Sequence, residues 1–338
     1  MSTPSACWMP YPTRPAPARA ASTTPARPGK PGRAPSHPRE GARMSTLDSP
    51  APVIGPGTAF GGLELDPRVT PLTINARVGT LTALHSAPAG QRRGTVLFVP
   101  GFTGSREDFR TFLPLLAERG WDAWAYSQRG QADSVGPKGV EQYTLDLFAA
   151  DAVEVARIVA AETGEATVHL VGHSFGGCVA RAAAILDPSA FASVTLLCSG
   201  PHGWPGRHQD TEFAVQEGGS IGLWYRDNPH TLGMPDEDMD PEMAFLRHRA
   251  AATSSDNLIS GARILRNDPD TTPELAATGL PVLVAHGEHD DKWPIPMQRD
   301  SAERLGADYV VIPEGAHSPQ FEAPEATAVA LDAFWAAH

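Results

Sequence analysis

Three cysteines, Cys7, Cys178 and Cys198, are too few for a disulfide framework, and no Cys-x-x-Cys or Cys/His spacing offers a zinc site. Cys178 and Cys198 lie in apolar runs and read as small buried hydrophobes in a reducing, cytoplasmic compartment. No run of 18 or more apolar residues occurs, so no membrane span is expected. Nor does the sequence point to a metal or other cofactor. Basic residues are in deficit, with 27 Lys+Arg against 39 Asp+Glu. The deficit is uneven. Residues 1–43 carry seven basic residues and one acid, Glu40, so the remainder has 20 basic against 38 acidic residues. An acidic body repels phosphate, which excludes nucleic acid as a general partner and leaves a small molecule. The oligomeric state has no signature in the sequence.

Residues 1–57 are rich in Pro, Ala, Ser and Arg and have no sustained apolar period. Such a segment buries too little surface to offset the entropy of ordering and is expected to be disordered. It also lacks the apolar core of a secretory signal. Met44 opens a more ordinary stretch and is expected to be the translation start, which N-terminal sequencing of the native protein would check. From residue 70 the pattern changes. Segments 74–77 and 80–85 flank Val78-Gly79 as a hairpin. Short apolar runs at 95–99, 122–126, 167–171, 194–198, 281–286 and 309–312 alternate with helical spacing at 109–119, 143–162, 176–186, 296–305 and 324–337. That alternation predicts an α/β fold with a doubly wound, mostly parallel sheet. It divides the core into 70–201 and 271–338. Between them, residues 202–270 break the rhythm with Trp204, Trp224, Tyr225 and three methionines. They are expected to form a helical lid over the carboxyl ends of the strands, where ligands of such sheets bind.

The strongest local signal is Gly172-His173-Ser174-Phe175-Gly176-Gly177, between the run TVHLV and an Ala-rich helix. A G-x-S-x-G pattern arises by chance roughly 0.2 times in a chain this rich in glycine, so the strand–turn–helix context supplies most of its weight. In that context it is a nucleophile elbow: a sharp turn projects the Ser174 oxygen at a helix N-terminus. A serine hydroxyl needs a base, and the base needs an orienting partner. His317 lies on the loop after the last expected strand, where catalytic loops gather; His286 ends a strand and is expected to pack, and His173 to point away from its neighbour's chemistry. For the acid, the loop Gly287-Glu288-His289-Asp290-Asp291 offers Asp290 first, with Asp291 and Glu288 competing, because one residue of register decides. The order Ser174, Asp290, His317 suits this fold. Two backbone N–H groups should meet the developing oxyanion, one from Phe175 and one from Phe102 on the loop Pro100-Gly101-Phe102.

Taken as a set, PGFTGS (100–105), YSQRGQADS (126–134), GHSFGG (172–177), GEHDDKWP (287–294) and EGAHSPQFEAPE (314–325) resemble the α/β-hydrolase superfamily over residues 74–337. The resemblance implies an eight-stranded sheet, a cap domain at 202–270, Ser174, Asp290 and His317 as catalytic triad, and Phe102 and Phe175 as oxyanion hole. Pro100 departs from the family's usual His, a residue that supports the loop. Arg129 matches a structural turn and is expected to be scaffold. The reaction implied is hydrolysis of an ester-type bond through an acyl-enzyme on Ser174, with Trp204 and Trp224 lining a site for a small apolar substrate. Acyl transfer, carbon–carbon bond hydrolysis and cofactor-free haloperoxidase chemistry could use the same triad, and a catalytically silent binding protein would keep only the fold. Serine rather than aspartate at 174 argues against dehalogenase and epoxide-hydrolase chemistry.

Overall fold

A computed structural model describes residues 53–338; the segment expected to be disordered lies outside the described residues up to position 52, and so does Cys7. Among the described residues nine strands form one sheet: β1 (Ile54–Pro56), β2 (Thr70–Ala76), β3 (Gly79–Ser86), β4 (Gly94–Val99), β5 (Trp121–Tyr126), β6 (Val168–His173), β7 (Phe191–Leu197), β8 (Val282–Gly287) and β9 (Asp308–Ile312). Their spatial order is β1-β2-β3-β5-β4-β6-β7-β8-β9. The first three strands and the β3–β5 pair are antiparallel, and all pairs from β5 to β9 are parallel. The expectation of eight strands is corrected to nine. The additional strand, β1, falls in the stretch expected to be disordered. It is three residues long and carries no readable period. It exists through pairing with β2, including Asn75 N–H to Val53 O at 2.8 Å and Gly57 N–H to Pro71 O at 3.0 Å.

Among the described residues ten α-helices accompany the sheet: α1 (Leu113–Glu118), α2 (Leu145–Thr163), α3 (Phe175–Leu186), α4 (Gln209–Asp227), α5 (Pro241–Ala252), α6 (Ser255–Asn267), α7 (Thr272–Ala277), α8 (Ile295–Leu305), α9 (Pro319–Glu322) and α10 (Pro324–Trp335). Central strands are buried on both faces, which is why β4, β6 and β8 read as unbroken apolar runs. Alternate side chains nevertheless go to opposite layers. Val96 and Phe98 of β4 pack with Leu116 of α1 and Leu331 and Trp335 of α10, whereas Leu97 and Val99 join the layer of α2 and α3. Phe98 meets Phe112 edge-to-face at 5.8 Å, a contact worth about 0.5–1.5 kcal/mol beyond its burial. Arg129 is scaffold: its guanidinium bonds Asp151 twice, at 2.6 and 2.7 Å, beneath the surface.

The segment 202–270 holds α4, α5 and α6; α4 bends at Gly219, where φ is 70°. It is fastened to the core by side chains that cross over. Arg249 of α5 pairs with Asp108 at 2.5 Å, Asn257 of α6 donates to Arg129 O at 2.8 Å, and Ser260 donates to Tyr143 O at 2.7 Å. Gly261 of α6 lies against the Phe102 ring, leaving no room for a β-carbon.

His169 of β6 gives the fold a pH dependence. Its Nδ1 lies 2.8 Å from Ser193 Oγ and its ring packs edge-to-face on Trp121. Burial, with a smaller contribution from His338, pushes its pKa down from 6.5 to about 4. Between those values the unfolded chain binds the extra proton, so stability is complete above about pH 6.5 and is lost as pH falls toward 4. Acidification from pH 7 to 4.5 should therefore lower the thermal midpoint, and His169→Gln should remove on the order of 1–3 kcal/mol of that loss. An equal fall in the variant would assign the acid sensitivity elsewhere.

Candidate active site

Ser174 stands between the end of β6 and the start of α3 with φ 55° and ψ −117°, a left-handed conformation that costs about 1–3 kcal/mol in a non-glycine residue. The turn is held by Ser174 N–H to Leu197 O at 2.9 Å and Gly177 N–H to Ser174 O at 2.8 Å. Glycine is obligatory around it. A β-carbon at Gly172 would stand 2.2 Å from Gly176 O, and one at Gly176 would stand 2.2 Å from Val99 O.

Three loops meet at this serine. His317, after β9, has Nε2 at 3.0 Å from Ser174 Oγ and Nδ1 at 2.8 Å from Asp290 Oδ1. A carboxylate only accepts, so Nδ1 carries the hydrogen and Nε2 is left bare to receive the hydroxyl proton. Asp290, after β8, is almost fully buried. Its Oδ1 also accepts from the N–H groups of Lys292 and Trp293, at 3.0 and 3.2 Å, and its Oδ2 accepts from Gln298 Nε2 of α8 at 2.9 Å. Burial alone would raise its pKa. The hydrogen bond and charge of His317, with the bonds from Lys292 and Gln298, outweigh burial and hold the carboxyl below its ordinary value. The competing acids are elsewhere: Asp291 pairs with Lys292 at 2.8 Å on the exposed side, and Glu288 is exposed. His286 is buried between Gly287 O and the Tyr309 hydroxyl.

The oxyanion candidates also converge. Gly101 lies beside the elbow, where an added β-carbon would sit 3.5 Å from Ser174 Cβ. Phe102 and Phe175 pack edge-to-face at 6.4 Å, and neither backbone N–H has an acceptor among the described residues. Gln128 Nε2 donates to Pro100 O at 3.0 Å and Gln131 Nε2 donates to Gly101 O at 2.7 Å. These two side chains brace the loop that departs from the family at Pro100. Sequence reading passed over both, although they stand in the quoted motif YSQRGQADS.

Two further groups set the position of His317. His173 Nε2 donates to His317 O at 2.7 Å; burial, with His317 nearby, pushes the His173 pKa down to about 4, so it is neutral. Glu322 Oε2 accepts from Ala316 N–H at 2.6 Å and Ser318 N–H at 3.1 Å, pinning the backbone on both sides of the imidazole. Their signal in the sequence is weak, because one is adjacent to the serine and the other is an ordinary helix acid. Among the described residues one cluster has metal-ligand types in reach of one another: Cys198, Asp290 and His317. Burial pushes the Cys198 thiol far above its ordinary value, and the Asp290 and His317 atoms already bond each other, so the donor set suits proton handling and not a cation.

The two expected substrate contacts separate. Trp224 is wholly buried within the helical insertion, and its indole donates to Thr231 Oγ1 at 3.0 Å. It has no accessible face for a substrate, a correction that follows from its apolar surroundings in α4. Trp204 is half-buried and meets Trp293 edge-to-face at 5.9 Å, close to the Asp290 loop.

No helix among the described residues is long and apolar enough to cross a membrane. Epoxide hydrolase B of Mycobacterium tuberculosis is 28% identical over 163 residues, 46% of this chain and 45% of that protein, so the chain matches less than half the length of this curated relative. Solved structures similar in fold include the enol-lactonase from Burkholderia xenovorans LB400 (19% identity, TM-score 0.63, covering 78% of this chain and 98% of that one). A thermophilic esterase from Thermogutta terrifontis shows 21% identity and a TM-score of 0.62 over 78% and 97% of the two chains. A bromoperoxidase from Bacillus anthracis shows 17% and 0.62 over 78% and 99%. A profile of the alpha/beta hydrolase family matches residues 96–330, well over half of the sequence. The chain belongs to the alpha/beta hydrolase family.

Proposed function

We propose that this hydrolase cleaves an ester-type bond of a small molecule through an acyl-enzyme on Ser174. One observation carries the reading: Ser174, His317 and Asp290 form a continuous line of 3.0 and 2.8 Å contacts, with the acid buried and ionised at its end. In the first step the Ser174 oxygen bonds the carbonyl carbon while its proton passes to His317 Nε2. Negative charge grows on the carbonyl oxygen, where the Phe102 and Phe175 N–H groups can receive it. His317 then protonates the departing alkoxide as its bond to carbon breaks. Water repeats the sequence: His317 takes its proton, the hydroxide oxygen bonds the acyl carbon, and Ser174 leaves with the proton returned.

The serine also bears on the epoxide named for the Mycobacterium relative. Attack by a hydroxyl on an epoxide would leave an alkyl ether, which water does not cleave at neutral pH, whereas an acyl ester turns over. The helical insertion, read as a cap domain spanning 202–270, would cover this site; the Arg249–Asp108 pair and the packing of Gly261 on the Phe102 ring support that reading. Two free buried cysteines, Cys178 and Cys198, accord with a cytoplasmic location.

A fluorophosphonate probe should label the native protein once, at Ser174, as read by peptide mapping. A natively folded protein that takes no label, or takes it at another serine, would end the proposal.

A further inference from the structure

Six arginines are buried among the described residues, and five of them pair with carboxylates: Arg106 with Glu107, Arg110 with Glu242, Arg129 with Asp151, Arg181 with Asp268 and Arg249 with Asp108. Arg207 is the exception. It is 9% exposed, its guanidinium forms no ion pair or hydrogen bond with a described residue, and its Nη1 is buried without any partner. Its guanidinium carbon packs on two indoles set nearly perpendicular to each other, 3.9 Å from the Trp204 ring centre and 3.8 Å from that of Trp293. Aromatic faces steady a cation but do not satisfy its N–H donors. A buried, unpaired charge costs several kcal/mol, so such a group calls for a missing anion.

The place of Arg207 says which anion. Trp293, whose ring Arg207 packs on, donates its backbone N–H to Asp290, and the Asp290 charge is one of those that act on the Arg207 guanidinium. The next residue, His208, lies over Phe102 at 5.2 Å between ring centres and has φ 54°. Gly206 before it has φ 83°. The turn that delivers Arg207 thus puts one non-glycine residue, His208, in the left-handed region and packs it on the Phe102 ring. Burial lowers the guanidinium pKa only to about 10, so it remains charged at neutral pH.

We propose that Arg207 binds a carboxylate of the substrate, which makes the cleaved molecule an anionic ester, of dicarboxylate half-ester type. A planar fork of donors, lodged in the corner formed by two nearly perpendicular indoles, matches a carboxylate in two-point contact. This replaces the apolar substrate expected from Trp204 and Trp224, since one of those indoles is internal and the other stacks on the cation. The inference rests on Ser174 as the acyl nucleophile for its kinetic consequence, but binding can be tested without turnover.

The test is calorimetric titration of glutarate, and of the neutral glutaramide, into the Ser174→Ala protein. Glutarate should bind about tenfold or more tightly than the diamide, and Arg207→Met should abolish the difference. Arg207→Lys keeps the charge without the fork and should retain part of it, which guards against a variant that fails for want of folding. With active enzyme, kcat/KM for p-nitrophenyl hemiglutarate should exceed that for p-nitrophenyl valerate, and that ratio should fall about tenfold or more in Arg207→Met. Equal binding of acid and diamide, no glutarate binding up to about 50 mM, or a preference that survives Arg207→Met would each overturn the proposal. Loss of fluorophosphonate labelling with glutarate binding intact would instead sink the acyl-enzyme reading and spare this one.

Discussion

Ser174→Ala should lower kcat/KM on p-nitrophenyl esters by about four to six orders of magnitude while the protein stays folded. The substitution removes one oxygen, which bonds His317 Nε2 at 3.0 Å. Alanine meets the same backbone demand at φ 55° as serine does, so the elbow loses no conformational advantage. The thermal midpoint should accordingly hold within a few degrees or rise slightly, because a strained, polar functional position is being relieved of its function. Retention of a tenth of the wild-type rate would require a different nucleophile and would remove Ser174 from the mechanism.

Asp290→Asn should cost about three to four orders of magnitude in kcat, for a reason specific to its hydrogen bonds. Oδ1 accepts three donors, from Lys292, Trp293 and His317, and Oδ2 accepts from Gln298. An asparagine whose amide oxygen takes the Oδ1 position points its NH2 at the Gln298 donor. The opposite rotamer points NH2 at His317 Nδ1, which must then be bare. The hydrogen moves to Nε2 and faces the Ser174 hydroxyl, so no base remains. Circular dichroism should stay native while turnover falls. Activity within tenfold of wild type would mean that Asp290 merely packs and that the imidazole is oriented by His173 and Glu322 alone.

The parallel half of the sheet was legible because buried central strands leave short runs of Val, Leu and Ala that survive without context, as in β4 and β8. β1 was not legible: Ile-Gly-Pro has neither period nor propensity, and only its partner makes it a strand. In the site, glycine spacing marked the elbow because backbone packing at Gly172 and Gly176 excludes any side chain. Choosing Asp290 over Asp291 needed the loop itself, since the deciding bonds come from the next two N–H groups and from Gln298, eight positions away. The role of Gln128 and Gln131 lies in their carbonyl partners, which no local pattern announces. Arg207 was least legible of all. Charge in a polar helical insertion normally faces water, and nothing in Gly-Arg-His tells that this one is buried against two rings.

The three groups of the proposed triad leave the ribosome in a fixed sequence: the hydroxyl on residue 174, the carboxylate on 290 and the imidazole on 317. Since β8 and β9 must dock before the last two can be presented, a chain in the course of synthesis carries an inert alcohol. On the proposed mechanism, reactivity would require the far edge of the sheet to be in place, and a chain ended before residue 290 would lack both the acid and the base.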